Sequence, residues 1–459
     1  MVQRGIHCMQ KEIVASYRSR MEMDRNTLLE VTQGILEQMT LGLQRPCDGD
    51  ERHRLMMLPS FVDRFPSGEE EGEYFALDLG GTSLKVVWVK IGNRMVLDND
   101  VREYPIPEEC YNTDNGRLMM WVVESCLEMM RSHPVDRVVV GFCYSFACRQ
   151  VNLDHGEQLL WTKRFRGAGL LGENVVQVLR DEFKKKGVDA IVPALLNDSV
   201  ASLVGAQFIT SHVKCAVILG TGTNCSYIEQ TKNIHTLPDV YRKHGDSMVI
   251  NTEWGDCKIP VGCTVEEDEW VDLASANPGH GLFEKLISGL YIGDVVRRIL
   301  CRIARETGMY ASKHSRLEES GSFDGAALSA IYHDTSPGLS TTASVFEKRF
   351  GIKNLDHIEL LTAKEICEMV ALRSARLCAA AMVAVLSREF ENTPTGRIGI
   401  AVDGSAFTKF EGYRILVRRI IDDILGDTAK SDRLDIIIAD GSSVTGAAIT
   451  AAVESAYEE

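Results

Sequence analysis

Asp78-Leu79-Gly80-Gly81-Thr82-Ser83-Leu84-Lys85 is the stretch whose reading decides the fold. Tyr74-Phe75-Ala76-Leu77 runs into it and Val86-Val87-Trp88-Val89 runs out of it. Two apolar runs around a glycine pair predict a β-hairpin. Its tip would present backbone N–H groups, hydroxyls and a carboxylate. Glycines there let amides approach a polyphosphate with no Cβ in the way. The acid before them could act on the metal ion that accompanies a nucleotide. An ordinary Gly-Gly hairpin turn would read the same way.

A second tip changes the weight of the first. Cys215-Ala216-Val217-Ile218-Leu219 leads into Gly220-Thr221-Gly222-Thr223-Asn224, and Cys225-Ser226-Tyr227-Ile228 follows. Weaker versions end two further apolar runs, at Val402-Asp403-Gly404-Ser405 and at Ala439-Asp440-Gly441-Ser442-Ser443. Four strand-ending tips, two per half, predict a duplicated α/β domain with a nucleotide held between the copies.

The bulk properties bound the rest. A chain of 459 residues suggests two domains, perhaps three. A net charge of −15 argues against nucleic acid and against an anionic membrane surface as partner. Thirteen cysteines, several in apolar strands and without metal-ligand spacing, fit buried thiols in a reducing compartment. The first thirty residues lack the apolar core of a signal peptide, and no apolar run reads as long enough to span a bilayer. A cytoplasmic location follows as the simplest expectation. The acidic clusters Glu69-Glu70-Glu71 and Glu266-Glu267-Asp268-Glu269 read as solvated loops or helix faces.

Along the chain, residues 1–45 read as one or two amphipathic helices, and 58–68 as an irregular connection. Strands alternate with helices from there on, including a buried strand Ala190-Ile191-Val192-Pro193-Ala194-Leu195-Leu196. Long helical stretches are expected at 283–307 and 363–388, loop plus short helix at 310–345, and an alanine-rich helix from about Gly446.

Several polar residues sit at places where ligands bind in such folds, and each is ambiguous alone. Asn197-Asp198-Ser199 follows the buried strand, where an acid points into the ligand crevice or merely caps the next helix. Trp161-Thr162-Lys163 lies in a loop and could be plain surface. Glu253, in Asn251-Thr252-Glu253-Trp254-Gly255, could meet sugar hydroxyls or be a satisfied strand edge. Glu284, after the turn Asn277-Pro278-Gly279, could simply favour a helix N-terminus.

Their order along the chain removes the ambiguity. The first hairpin, Ser145-Phe146-Ala147-Cys148, Leu160-Trp161-Thr162-Lys163, Asn197-Asp198, the second tip, Glu253-Trp254-Gly255, Asn277-Pro278-Gly279 with Glu284, and Asp403-Gly404-Ser405 together resemble a single catalytic unit of the hexokinase family. The resemblance runs from about Met57 to the end. It implies the two-lobed actin-like ATPase (ribonuclease H-like) α/β fold, with small and large lobes around a central cleft. It implies N-terminal helices over 1–65 on the large lobe, a small lobe over 66–205, a large lobe over 206–445 and a last helix over 446–459 returning to the small lobe.

For function it implies phosphorylation of the 6-hydroxyl of glucose and other hexoses by Mg-ATP, the first step of glycolysis. Asp198 would be the general base. Ser145, Thr162, Lys163, Asn197, Asp198, Asn224, Glu253 and Glu284 would bind the hexose, with Lys163 also balancing charge during transfer. A hexose needs many polar partners, since each buried unpaired group costs about 1–3 kcal/mol. Asp78, Gly80, Gly81, Thr82, Ser83, Lys85, Gly220, Thr221, Gly222, Gly404, Ser405, Gly441 and Ser442 would surround ATP, with Asp78 near Mg²⁺ through water.

Three departures from the family pattern bear on the nucleotide. Ser83 and Lys85 stand where the hairpin usually carries Asn and Arg, and Lys85 lacks Arg's planar fork. Ala147 replaces a proline. The stretch 440–448 is one residue longer than usual and lacks a basic residue. A sugar sensor without catalysis, and a non-sugar ATPase of the same superfamily, are the competing readings. Asp198 argues against the first; Thr162-Lys163 and Glu253-Trp254 argue against the second. Whether the chain forms a homo-oligomer is open from sequence.

Overall fold

The structure is a computed structural model that describes residues 2–45, 55–159, 161, 164–244, 246–260, 262–310 and 316–457. Thr162 and Lys163 lie outside the described residues.

Two sheets share one topology. The first is built from β2 (Gly72–Leu79), β3 (Ser83–Gly92), β4 (Met95–Pro105), β5 (Val138–Tyr144) and β8 (Ala190–Leu196), in the order β4-β3-β2-β5-β8. The second has β1 (Leu58–Pro59), β9 (Val213–Leu219), β10 (Thr223–Gln230), β11 (Ser247–Asn251), β12 (Ile398–Asp403) and β13 (Leu434–Ile438), in the order β1-β11-β10-β9-β12-β13. In each, an antiparallel hairpin is extended by two parallel strands: β2 pairs β3 antiparallel and β5 parallel, and β9 pairs β10 antiparallel and β12 parallel. The duplication predicted from the glycine tips is present. A small ribbon of β6 (Cys148–Asn152) and β7 (His155–Gln158) hangs off the first sheet.

The apolar runs become central strands because both faces are covered. Helix Asp198–Ile209 and helix Ser442–Tyr457 pack against each other, and the latter lies on β2, β5 and β8. Glycines let the backbones meet. A Cβ on Gly446 would stand 1.8 Å from the Ala201 carbonyl oxygen, and one on Gly141 of β5 would stand 2.0 Å from that of Ala447. On the second sheet, helix His357–Asn392 forms the centre of a large core, with Leu28, Val31 and Ile35 of helix Arg25–Gln44 in the same cluster.

Several local expectations change. Residues 58–59 form a short strand, β1, held to β11. The stretch 283–307 is two helices, Leu282–Ile287 and Gly289–Thr307, broken at Ser288. The loop plus short helix expected over 310–345 contains two short helices, Gly325–Tyr332 and Ser340–Val345. The acidic run 266–269 is not wholly solvated: Asp268 accepts two bonds from the fully buried Arg373, at 2.6 and 2.8 Å, and Tyr17 donates to Glu267. The last helix begins at Ser442, so most of the lengthened 440–448 stretch is helical. Helix His357–Asn392 is long and apolar enough to cross a membrane by length and composition, and 83% of its apolar window is buried inside the fold.

Candidate active site

All the predicted tips sit at one kind of place, the carboxyl ends of parallel strands or the hairpin turns beside them, where α/β sheets bind ligands. In the first sheet Asp78 on β2 pairs in register with Cys143 on β5, and Ser145 and Asn197-Asp198 follow β5 and β8 directly. In the second, the turn 220–222 joins β9 to β10, Gly404 follows β12, and Gly441 lies just beyond β13.

Asn197 is the cap of helix Asp198–Ile209, and Asp198 is its first residue. The Asn197 Oδ1 accepts from the Ser199 N–H (2.9 Å) and hydroxyl (2.8 Å). That holds the helix start rigid and sets Asp198 just beyond the carboxyl end of β8. Asp198 Oδ1 accepts from the Ser199 N–H at 2.8 Å, and Ser145 Oγ donates to Asp198 Oδ2 at 3.4 Å.

The other residues expected to meet the sugar come from the second sheet or the elements that flank it. Asn224 Nδ2 donates to Asn197 Oδ1 (3.1 Å), Asn251 Oδ1 (2.9 Å) and, more weakly, Glu253 Oε1 (3.4 Å). Asn251 Nδ2 donates to Glu253 Oε1 at 2.8 Å. Glu253 has φ +52°, a left-handed conformation rare for a non-glycine residue and concentrated at functional sites. Burial lifts its pKa to about 7; the Asn251 bond opposes this, and the charges of Asp198, Glu284 and Asp256 add to it. Glu284 Oε2 accepts the Thr223 N–H at 2.9 Å, beside Gly222, where a Cβ would come within 2.5 Å of that oxygen. Trp254 is buried and donates to Thr223 Oγ1 at 2.9 Å, so it braces the tip rather than facing a ligand. Buried Lys285 donates to Asp272 and to the carbonyls of Asn277 and His280, which pins the turn ahead of Glu284.

On the nucleotide side, Gly80, Gly81 and Thr82 form the first turn, and Gly220, Thr221 and Gly222 the second. Ser83 Oγ donates to Glu103 at 2.6 Å. Lys85 stands in register between Asp78 on β2 and Glu103 on β4. Gly404 has φ +108°, and a Cβ there would lie 2.5 Å from the Leu219 carbonyl, so the two tips of the second sheet touch backbone to backbone. Burial raises the Asp403 pKa to about 6; the Gly404 N–H and Lys85 oppose this, and Asp440 and Asp198 reinforce it. Ser443 Oγ donates to Asp78 at 3.4 Å, and the buried Ser442 Oγ has no partner among the described residues.

Hexokinase family profiles match residues 13–208 and 214–453. The chain is 33% identical to Hexokinase-1 of Spinacia oleracea over 454 residues, 95% of this chain and 91% of that one. The chain belongs to the hexokinase family. It is thus a kinase that acts on a hexose hydroxyl. It is also 31% identical to Hexokinase-5 of Oryza sativa subsp. japonica over 471 residues, 99% of this chain and 92% of that one. The hexokinase from Schistosoma mansoni, solved in complex with glucose, superposes with a TM-score of 0.86 at 26% identity over 96% of this chain and 99% of that one.

Hexokinase chemistry needs a nucleotide and a divalent cation, and this cleft fits both. Ser442 Oγ is an orphaned donor at the start of a helix, next to Gly441 at φ +75° with open space before its Cα. The carboxylates Asp78, Asp198, Asp403 and Asp440 are hard oxygen donors of the kind Mg²⁺ takes. Among the described residues no three His, Cys, Asp or Glu side chains converge to hold a metal unaided. A magnesium ion that arrives with the phosphates needs only one or two such carboxylates.

Two residues beside the expected site residues escaped the sequence reading. Asn251 was visible only as the edge of a motif; its bond to Asn224 comes from register across β10 and β11, with Ser226 opposite it, and its bond to Glu253 from the left-handed turn two residues on. Asp403 was visible as a strand-ending acid, but its raised pKa depends on Asp440 and Asp198 from distant parts of the chain.

Proposed function

We propose that this hexokinase transfers the γ-phosphoryl group of ATP to the 6-hydroxyl of glucose, and of related hexoses, as an entry step of glycolysis, with Asp198 as general base. The glucose-bound Schistosoma relative supports the choice of sugar. The observation that carries the reading is the place of Asp198. It opens the helix that follows β8, accepts from Ser145 Oγ after β5, and adjoins Asn197, to which Asn224 of the second sheet donates.

Ser145, Asn197, Asn224, Glu253 and Glu284, with Thr162 and Lys163, hold the sugar hydroxyls. Both carboxylates accept from hydroxyl protons, and hydrogen bonds to a charged partner are the stronger kind. Asn224 orients the others, since its amide protons are engaged by protein acceptors. Asp198 takes the O6 proton as the O6–phosphorus bond forms and the bond to the β-phosphate oxygen breaks, releasing ADP. The amides of residues 80–82 and 220–222, with Lys163, balance the developing charge on the phosphates, and Lys85 borders them. Gly404, Ser405, Gly441 and Ser442 border the adenosine end. Asp78 would hold Mg²⁺, which when bound would supply Lewis acidity to the transfer.

We assign the small lobe to 66–205 and the large lobe to 206–445, with segment 1–65 on the large lobe, segment 446–459 returning to the small lobe, and a cytoplasmic location. The test is ADP release from Mg-ATP with and without glucose. Wild type should show strong glucose dependence, and Asp198→Ala should lose about 10²–10⁴ in kcat with glucose binding kept. An Asp198→Ala variant that turns over near the wild-type rate ends the assignment.

A further inference from the structure

Glu253 poses a problem that its own position does not solve. It is desolvated, surrounded by the negative charges of Asp198 on helix Asp198–Ile209, Asp256 in the turn after it and Glu284 on helix Leu282–Ile287, and its backbone is left-handed. Such a carboxylate tends to take a proton and lose its acceptor character. A single side chain opposes every part of this. Asn251, buried at the end of β11, uses its amide nitrogen on Glu253 Oε1 (2.8 Å). Its carbonyl oxygen accepts from the Glu253 backbone N–H (3.3 Å) and from Asn224 Nδ2 (2.9 Å).

We infer that Asn251 is a positioning residue that sets hexose affinity, by holding Glu253 ionised and aimed at the sugar and by locking Asn224 into the same frame. It does not touch the reacting atoms. One bond faces the carboxylate as a donor, which favours the charged form. The bond to the Glu253 N–H stabilises the left-handed turn that aims the side chain. The bond from Asn224 continues through Asn197 Oδ1 to the cap beside Asp198, so sugar-side and base-side groups share one frame. No other side chain among the described residues bonds both Asn224 and Glu253 while also bonding the Glu253 backbone.

The inference rests on Glu253 being a hexose ligand, and the test separates the two. Glucose KM and kcat are measured between about pH 5.5 and 8.5 for wild type, Glu253→Gln, Asn251→Asp and the near-isosteric Asn251→Leu, with Tm for each. Asn251→Asp replaces the donor with an acceptor. It should raise glucose KM at least ~10-fold near pH 7, keep kcat within ~3-fold, and move the inflection of KM upward by about one pH unit or more. Asn251→Leu should raise KM in the same direction at similar volume. If Glu253→Gln leaves glucose KM unchanged, the assignment of Glu253 to the sugar fails. If Glu253→Gln raises KM but folded Asn251→Asp and Asn251→Leu keep both wild-type KM and its pH profile, the inference about Asn251 fails alone. A fall in kcat that tracks Tm, with KM and its profile intact, would also overturn it, because that is what a merely structural residue produces.

Discussion

At the scale of single residues, Glu253 sets the terms on which sugar recognition and stability compete. Its pKa near 7 in the folded protein lies above the ordinary carboxylate value of 4.5. The folded state therefore holds a proton that the unfolded state has lost over that window, and stability falls as pH rises through it. Above it, the charged group costs stability but accepts sugar hydroxyls best. Glucose KM should accordingly fall as pH rises from about 6 to 8, with an inflection near 7, and this slope should vanish in Glu253→Gln. The same variant should melt higher than wild type at pH 8, by on the order of 1–3 kcal/mol, while binding glucose worse. Paired KM and melting curves across pH check both, and a Glu253→Gln protein that melts lower at pH 8 contradicts the sign. The acids at strand ends were legible in the sequence because their order along the chain is distinctive. Their proton affinities were not, because they arise from neighbours such as Asp198 and Glu284 that only folding brings to Glu253.

At the scale of elements, the crossing of helix Asp198–Ile209 with helix Ser442–Tyr457 joins Asp198, the proposed base, to the far end of the chain. Gly205 and Gly446 face each other there, and a Cβ on Gly205 would meet the Ser442 carbonyl oxygen at 2.4 Å. Gly446→Ala should cost about 1–3 kcal/mol by overpacking and lower kcat more than glucose affinity, since it shifts the helix that starts at Asp198. Thermal melts and steady-state kinetics on the folded fraction read both effects. The buried pair of Asp268 and Arg373 makes the second element-scale prediction. Asp268→Ala leaves a fully buried guanidinium without its carboxylate and should cost about 3–5 kcal/mol, whereas Asp268→Leu with Arg373→Met should recover much of that. A Tm for Asp268→Ala within error of wild type would show the pair to be dispensable. Sequence reading took 266–269 for a solvated face because four acids in a row carry no periodic signal. Arg373 lies about a hundred positions away, so nothing local marks its partner. Strands and glycine tips, by contrast, were legible because continuous apolar runs and turn chemistry are local properties.

At the scale of the whole molecule, the two sheets hold different halves of one site. Ser145, Asn197 and Asp198 extend from the first, and Asn224, Glu253 and Glu284 from the second or its flanking turns. A sugar bridging them should draw the lobes together, which would exclude water as a competing acceptor. Small-angle scattering should therefore show a smaller radius of gyration with saturating glucose than without. The change should be absent in Glu253→Gln at the same sugar concentration. An unchanged radius with glucose bound would remove closure from the mechanism. The N-terminal helices join the core of the second sheet, with Tyr17, Leu28 and Val31 buried in it and Arg25 donating to the carbonyls of Asp423 and Ile424.

The sequence by itself determined the duplicated α/β architecture, the family and the order of the site residues, because apolar periodicity, glycine tips and motif order are written in neighbouring positions. Only the tertiary structure decided that Asn251 braces Glu253, that Asp268 lies against Arg373, that Trp254 supports a turn, and that Glu253 titrates near 7. Hydrogen bonds, desolvation and charge repulsion act through space, and for Asp268 with Arg373, Trp254 with Thr223 and Glu253 with Asp198 they join residues that the chain keeps far apart.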